Sequence, residues 1–536
     1  MSHKSKRSHV VLVAISVCLG AFAKVDYQVV PLPQEICLDA SGKTTELSTG
    51  QIVSYPSGNA RMKRNAQFLQ EYLGLKPRAA MSGKRKAAVR LALGLHDENP
   101  EAYRITVGKD GILIQGASES GVFYGIQTLR KSVMNESGTT YQLPWGTVYG
   151  TPRFHYRGCM LDASRHFYSV KFVKKYIDIL AFHGMNRFHW HLTDDQGWRY
   201  ESRSLPELAP KGTYCPELVT LDDDGLKPLP TSEKTGYYYT REELKDIVAY
   251  AADRFITIVP EVELPGHTLA VLSVYPELGC TGGPYKIYPF FPYRGIEKDV
   301  LCAGNPKTME FIKKTLDDLC EIFPSEYIHI GGDESPRDRW KECPKCQAKM
   351  KELHLEREAQ LQTYLVQEVE KYLATKGRRL IGWDEIMEGG LSPDATVMSW
   401  RGIAGGIEAA HQHHNVIMSP TTHCYIDYYQ LSDWGKQPAC EGGFVSVSKM
   451  YSLDPVPQEI PDDEKKYIMG VQCNLWTHYA DSPARAMYQM LPRLAAMSEV
   501  QWLMPQQKDY EGFKQRLSSL EKMYDKLGYV YCPTYE

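Results

Sequence analysis

Beyond residue 23 the 536-residue chain has no apolar run with the length of a membrane-spanning helix, which excludes a helical membrane protein. It has no surplus of one charge either: 62 Lys and Arg face 65 Asp and Glu, a formal net charge of -3, so no basic face is left for nucleic acid. A second Cys-x-x-Cys is missing, so Cys343-Pro-Lys-Cys346 reads as a local disulfide or a free pair, and neither a metal nor a cofactor is expected. Length and aromatic surface are plentiful. The chain is too long for one ordinary domain, and 35 Tyr and 9 Trp are a heavy aromatic load, although most of these rings will be core or rim.

The first residues read as an address. Lys4, Lys6 and Arg7 precede an apolar run from Val10 to Ala23 that ends in Ala21-Phe22-Ala23, the small-x-small pattern of leader cleavage. Residues 1–23 are therefore expected to be a signal peptide, with a mature start near Lys24 and a periplasmic or secreted protein. Cys18 invites a lipoprotein reading, but Val17 before it is bulkier than such processing wants, so plain secretion ranks above anchoring. Disulfides are allowed there, and Cys280 and Cys302, which flank a loop rich in Gly, Pro and Tyr, are candidates to staple it; the pairing is not legible.

Residues 24–150 carry a small α/β pattern. Tyr103–Val107 and Ile112–Gln115 read as strands joined through Lys109-Asp110-Gly111, followed by a helix over Glu119–Val133 with Val122, Ile126 and Leu129 on one face. From residue 151 to 505, strand and helix alternate. Strand candidates begin near Arg157, Asn186, Thr257, Tyr327, Arg379, Thr396, Asn415 and Ile468, eight units that predict a (β/α)8 TIM barrel. The first helix places Phe172, Val173, Tyr176, Ile177, Leu180 and Ala181 on one stripe and stops at Gly184. Helices at Arg241–Ala252 and Thr308–Ile322 repeat the design. The barrel closes with one long helical stretch over Pro483–Leu503, and 506–536 is expected to be a helical tail packed on it.

One octet stands out: Ile328-His329-Ile330-Gly331-Gly332-Asp333-Glu334-Ser335. Tyr327–Ile330 reads as a buried parallel strand, and two glycines can take backbone angles that turn both following carboxylates into one pocket. Adjacent acids also favour first helical turns. The other strand ends argue for the pocket: Asp162 to His166, His189 to Asp195, Glu261 to His267, Trp383-Asp384, Trp400-Arg401, Tyr425-Ile426-Asp427 and Asn474-Leu475-Trp476 put polar and aromatic groups where a barrel keeps its chemistry.

Arg157-Gly158 with Leu161-Asp162 and Arg165-His166-Phe167, then His189-Trp190-His191-Leu192-Thr193-Asp194-Asp195-Gln196-Gly197-Trp198-Arg199, Pro260-Glu261 with Pro265-Gly266-His267, and His329 to Glu334 closely resemble glycoside hydrolase family 20, the β-N-acetylhexosaminidases. The resemblance runs in order over about residues 24–505, and the N-terminal domain is similar to that family's companion domain. It implies a substrate-assisted reaction on glycans ending in a β-linked N-acetylhexosamine, in which the sugar's own 2-acetamido oxygen attacks the anomeric carbon. By that resemblance Glu334 is the general acid and then base, Asp333 orients the acetamide, and Tyr425 hydrogen-bonds its oxygen. Asp194 and His267 form a relay that tunes Glu334, which is expected to carry the raised pKa. Trp383, Trp400 and Trp476 wall the site, Arg165 and Asp427 bind outer hydroxyls, and Trp190 and Trp198 read as packing residues. His189, His191 and His329 read as core histidines.

The chain departs from the resemblance at His478, which stands after Trp476-Thr477 where the family has a glutamate for far-end hydroxyls. A protonatable imidazole leaves room for a 6-sulfated sugar, as in mucin, whereas Asp427 would repel the sulfate. Two rivals come from other classes. A metal-dependent hydrolase would use His189, His191, Asp194, His267 and Asp333 as ligands, and a noncatalytic glycan-binding protein would explain the aromatics but not the adjacent acids. The choice between GlcNAc and GalNAc, and between monomer and homodimer, is not written in the sequence. The loops over Lys211–Tyr239 and Cys280–Cys302 are expected to shape the leaving-group side.

Overall fold

The computed structural model describes residues 25–80, 87–134, 138–213, 219–222, 225–228, 237–287 and 295–535. The expected leader and much of the 211–239 loop lie outside these residues.

Residues 25–150 form a seven-stranded sheet in the order Glu35–Leu38, Gly146–Gly150, Tyr103–Gly108, Gly111–Gly116, Val89–Leu93, Ile52–Tyr55, Lys76–Ala79, with helices Ala60–Leu73 and Glu119–Met134 packed on it. The expected hairpin closes with Gly108 opposite Gly111, which takes φ +101°. Helix Glu119–Met134 buries the Val122, Ile126 and Leu129 stripe.

The barrel is closed by eight parallel strands, numbered here within the barrel: β1 (Tyr156–Asp162), β2 (Arg187–His191), β3 (Thr257–Glu261), β4 (Tyr327–His329), β5 (Arg379–Trp383), β6 (Thr396–Ser399), β7 (Val416–Met418) and β8 (Ile468–Leu475), with β8 paired back to β1. Helix Val170–Phe182 buries its predicted stripe; Ser169 caps one end by accepting from the Phe172 N–H, and Gly184 at φ +71° ends the other. Helix Arg241–Asp253 opens on a capping box of Thr240 and Glu243. After β5 there is only a 3-10 turn, Asp384–Met387, so the fifth unit lacks its helix.

The long C-terminal helix is a correction. Pro483–Met490 and Arg493–Trp502 are separate, because Pro492 has no N–H to donate and pushes Leu491 to φ -106°, ψ 136°. The tail helix Tyr510–Leu527 packs through Phe513, Leu517, Leu520 and Tyr524, and Arg516 pairs with the buried Glu499 at 2.9 Å. The small domain is held to the barrel by Arg157, fully buried, whose guanidinium meets Glu101 at 2.6 Å. Among the described residues no helix is long and apolar enough to cross a membrane.

The cysteines depart from expectation in part: Cys343 and Cys346 are a free pair, one of the two states expected, whereas the candidate staple between Cys280 and Cys302 does not form. All four thiols converge in one cluster. Cys280 and Cys302 come from the loop after β3 and Cys343 and Cys346 from the loop after β4, which the barrel brings together.

Candidate active site

The site grows from the end of β4. Gly331 and Gly332 hold φ +66° and +93°, and a Cβ on Gly331 would stand 1.9 Å from Glu263 Oε2, so only glycine fits. The turn is pinned by the Gly331 N–H donating to His329 Nδ1 at 3.0 Å, by the Trp383 N–H donating to Gly331 O at 2.9 Å and by Gln362 Nε2 donating to Gly332 O at 2.6 Å. It delivers Asp333 buried and Glu334 with 37% of its side chain exposed.

Above the pair, His267 Nε2 lies 3.7 Å from Asp333 Oδ2 and 3.6 Å from Glu334 Oε2, while its Nδ1 faces Asp195 Oδ2 at 3.2 Å and Asp194 Oδ1 at 3.4 Å. Burial works against a charged imidazole, but Asp194 and the bonds to Asp194, Asp195 and Glu334 outweigh it and raise the His267 pKa well above the ordinary value. Asp194 also holds Arg165 at 2.7 Å, and Asp162 holds it at 3.2 Å, so the guanidinium is fixed before any ligand arrives. Burial, reinforced by Glu261, Glu334 and Asp194 against the opposing pull of His267, lifts Asp333 to about 6. Glu334 lies nearer solvent than Asp333.

The floor and walls are aromatic. Trp383 and Trp476 lie 6.0 Å apart at 43°, and Trp400 stacks with Tyr425 at 6.2 Å and 25°. Trp383 is anchored from below by donating Nε1–H to Glu261 Oε1 at 2.8 Å, and Trp400 likewise donates to Glu385 Oε2 at 2.8 Å. Burial and the nearby Asp333 push Glu385 up to about 8. The Tyr425 hydroxyl, kept protonated by burial, also contacts Trp476.

At the far end sit Asp427, Tyr428, Glu441 and His478, and together with the groups above they line one cavity of about 160 Å³. Sites for drug-sized ligands usually span about 300–1,000 Å³, so this one is dimensioned for a single small ring and not for a chain running through it. Two expectations change here. Burial, then the Arg165 charge, hold the His478 pKa well below its ordinary value, so the imidazole is neutral and not a ready cation. Burial keeps Asp427 protonated far above the usual carboxyl range, so it is not the repelling anion that was assumed. Three carboxyl oxygens of this cavity, Asp333 Oδ1, Asp427 Oδ1 and Glu441 Oε2, are buried without a hydrogen-bond partner, a condition that calls for an incoming donor.

Asp194 stands behind the cavity wall, and every other residue expected in the site lines the cavity. Trp190 and Trp198 are buried in the main core. His189, His191 and His329 surround the Glu261 carboxylate inside the barrel, with His189 Nε2 at 3.1 Å and His329 Nδ1 at 2.9 Å. Of the rival metal set, His189 belongs to this layer beneath the cavity, while His191 Nε2 stays 3.0 Å from Asp194 Oδ2. Sequence reasoning missed Asp195, whose signal was its place beside Asp194 in Thr193-Asp194-Asp195. It also missed Glu385, two residues past Trp383, and Glu441 and Tyr428, which carry no local signal because a strand pair, Tyr428–Tyr429 with Glu441–Phe444, brings them in.

Residues 154–505 match Glycosyl hydrolase family 20, catalytic domain, and residues 26–149 match Glycosyl hydrolase family 20, domain 2. A beta-hexosaminidase of Porphyromonas gingivalis is 43% identical over 426 residues, 78% of this chain and 53% of that protein. A beta-hexosaminidase of Vibrio furnissii is 35% identical over 404 residues, 74% of this chain and 64% of that protein. The chain therefore spans about half the length of the first relative and just under two thirds of the second. The solved GH20 beta-N-acetylhexosaminidase from Streptomyces coelicolor A3(2) superposes with a TM-score of 0.80 at 27% identity, covering 96% of this chain and 98% of that one.

Proposed function

The chain belongs to glycosyl hydrolase family 20, and from that premise we propose that it is an exo-acting, retaining β-N-acetylhexosaminidase that releases one terminal GlcNAc or GalNAc with the sugar's acetamide as nucleophile. The observation that carries this reading is the trio of orphaned carboxyl oxygens in a one-ring, aromatic-walled cavity beside the accessible acid Glu334. A terminal N-acetylhexosamine brings one amide N–H and several hydroxyls to such acceptors, and its apolar ring face and methyl to Trp383, Trp400 and Trp476.

The chemistry follows from position. Substrate covers Glu334 and desolvates it, which favours its acid form. Glu334 gives its proton to the glycosidic oxygen as the anomeric C–O bond breaks, and the acetamide oxygen, steadied by the Tyr425 hydroxyl, bonds to the anomeric carbon. Asp333 accepts from the acetamide N–H and balances the positive charge that develops there, an interaction strongest in the transition state. Glu334, now a base, takes a proton from water, which opens the cyclic intermediate from the leaving-group side and restores the original configuration. His267 bridges the two acids, and Asp194 and Asp195 keep it oriented and charged.

At the hydroxyl end, Glu441 takes up the acceptor role that His478 leaves open, with its Oε2 3.9 Å from His478 Nδ1. A carboxyl group there favours a plain hydroxymethyl over a 6-sulfate, and so supports the unsulfated substrate over the sulfated alternative. The leader-like residues 1–23 support action outside the cytoplasmic membrane.

The test is hydrolysis of defined β-linked GlcNAc, GalNAc and 6-sulfo-GlcNAc substrates, with product configuration read by NMR. Retention is expected, with a steep loss of rate as fluorine is added to the acetyl group. Inversion, or a sugar trapped covalently on either carboxylate, would overturn the mechanism.

A further inference from the structure

Behind the catalytic loops, the sulfurs of Cys280, Cys302, Cys343 and Cys346 all lie within 4.8 Å of one another. The closest separations are 3.6 Å for Cys302 to Cys343, 3.6 Å for Cys302 to Cys346 and 3.8 Å for Cys280 to Cys346. A disulfide needs about 2.05 Å. A tetrahedron of thiolates at the zinc–sulfur distance of about 2.3 Å has edges of about 3.8 Å. From this convergence we propose that the four cysteines are the ligands of a structural zinc ion.

The surroundings fit that task. Cys302, Cys343 and Cys346 are buried in a small apolar cluster closed by Val300, Trp340 and Met350, and only Cys280 is partly accessible, which leaves no open position for water or substrate. Cys343 and Cys346 sit at the start of helix Pro344–Glu352, where the dipole favours thiolates. The Gly304 backbone hydrogen-bonds both Cys302 and Cys346. A Cβ on Gly304 would lie 2.1 Å from Lys345 O, so glycine is what lets the two turns close on one centre.

The cluster joins the loop that starts at Asp333-Glu334 to the loop that carries His267. The Leu301 N–H donates to Pro265 O at 3.0 Å, and Trp340 Nε1 donates to Leu301 O at 2.9 Å, so the metal would brace the backbone on both sides of the catalytic pair. This inference is independent of the substrate reading.

The full chain, purified without reductant or chelator, is expected to carry one zinc per molecule by plasma mass spectrometry. Alkylation after denaturation in chelator should find all four cysteines as free thiols. Cobalt exchanged into the site should show the intense thiolate charge-transfer and tetrahedral ligand-field bands, and Cys343→Ser should lose the bands and the stoichiometric metal. Should that variant be insoluble, zinc content and thiol mapping of the unaltered protein decide alone. Disulfide-linked peptides among the four cysteines, or four free thiols without zinc, overturn the proposal.

Discussion

His267 Nε2 lies 3.6 Å from Glu334 Oε2, and both residues hold left-handed backbone, φ +49° and +44°. Neither is a glycine, and such conformations cost on the order of 1–3 kcal/mol each. Two strained residues facing each other across the cavity, on the loops after β3 and β4, mark where the fold gives up stability to aim side chains.

Glu334→Gln should lose about 10²- to 10⁴-fold in kcat on substrates with poor leaving groups, the usual worth of general acid help. Activated aryl glycosides need less protonation and should lose less. Equal, twofold losses on both kinds would show that another group is the acid.

Asp333 has a folded pKa of about 6 against an ordinary 3.8, raised chiefly by burial. The fold thus favours its neutral form, and stability present below the lower value is lost as pH rises through the higher one. A shift of about 2 units corresponds to roughly 3 kcal/mol. Asp333→Asn should therefore unfold at a higher temperature than wild type at pH 8 and match it near pH 4. It should also lower kcat far more than it raises KM and abolish the acid limb of kcat/KM near pH 6. A variant no more stable at pH 8 would contradict this account.

Glu441→Gln should reduce kcat/KM on unsulfated substrates by roughly 10- to 150-fold, the worth of a charge-assisted hydrogen bond of about 1.5–3 kcal/mol. It should also narrow the disadvantage of 6-sulfo-GlcNAc. Because burial and Arg165 keep His478 neutral, the ratio of sulfated to plain turnover should stay flat through pH 6.5. A ratio that climbs as pH falls would give His478 the cationic role instead.

Gly331→Ala should abolish activity and lower Tm. Left-handed backbone costs a non-glycine residue about 1–2 kcal/mol, and the new methyl would meet the carboxyl of Glu263 at 1.9 Å. Near-normal kcat in this variant would mean that the turn is more forgiving than its contacts imply.

The eight barrel strands, the seat of Asp333 and Glu334 and the aromatic walls were legible in the sequence because each is a local pattern. Buried runs at regular spacing fix the strands, glycines mark the turn, and polar residues follow strand ends. The break at Pro492 was equally local and was passed over. Tertiary structure alone decided the rest. The charge states of His478 and Asp427, the raised carboxyl at Asp333, the arrival of Glu441 beside His478 and the gathering of four cysteines all depend on which distant segments share a low-dielectric space. Burial and long-range pairing are properties of the closed barrel and its loops, and no window of sequence contains them.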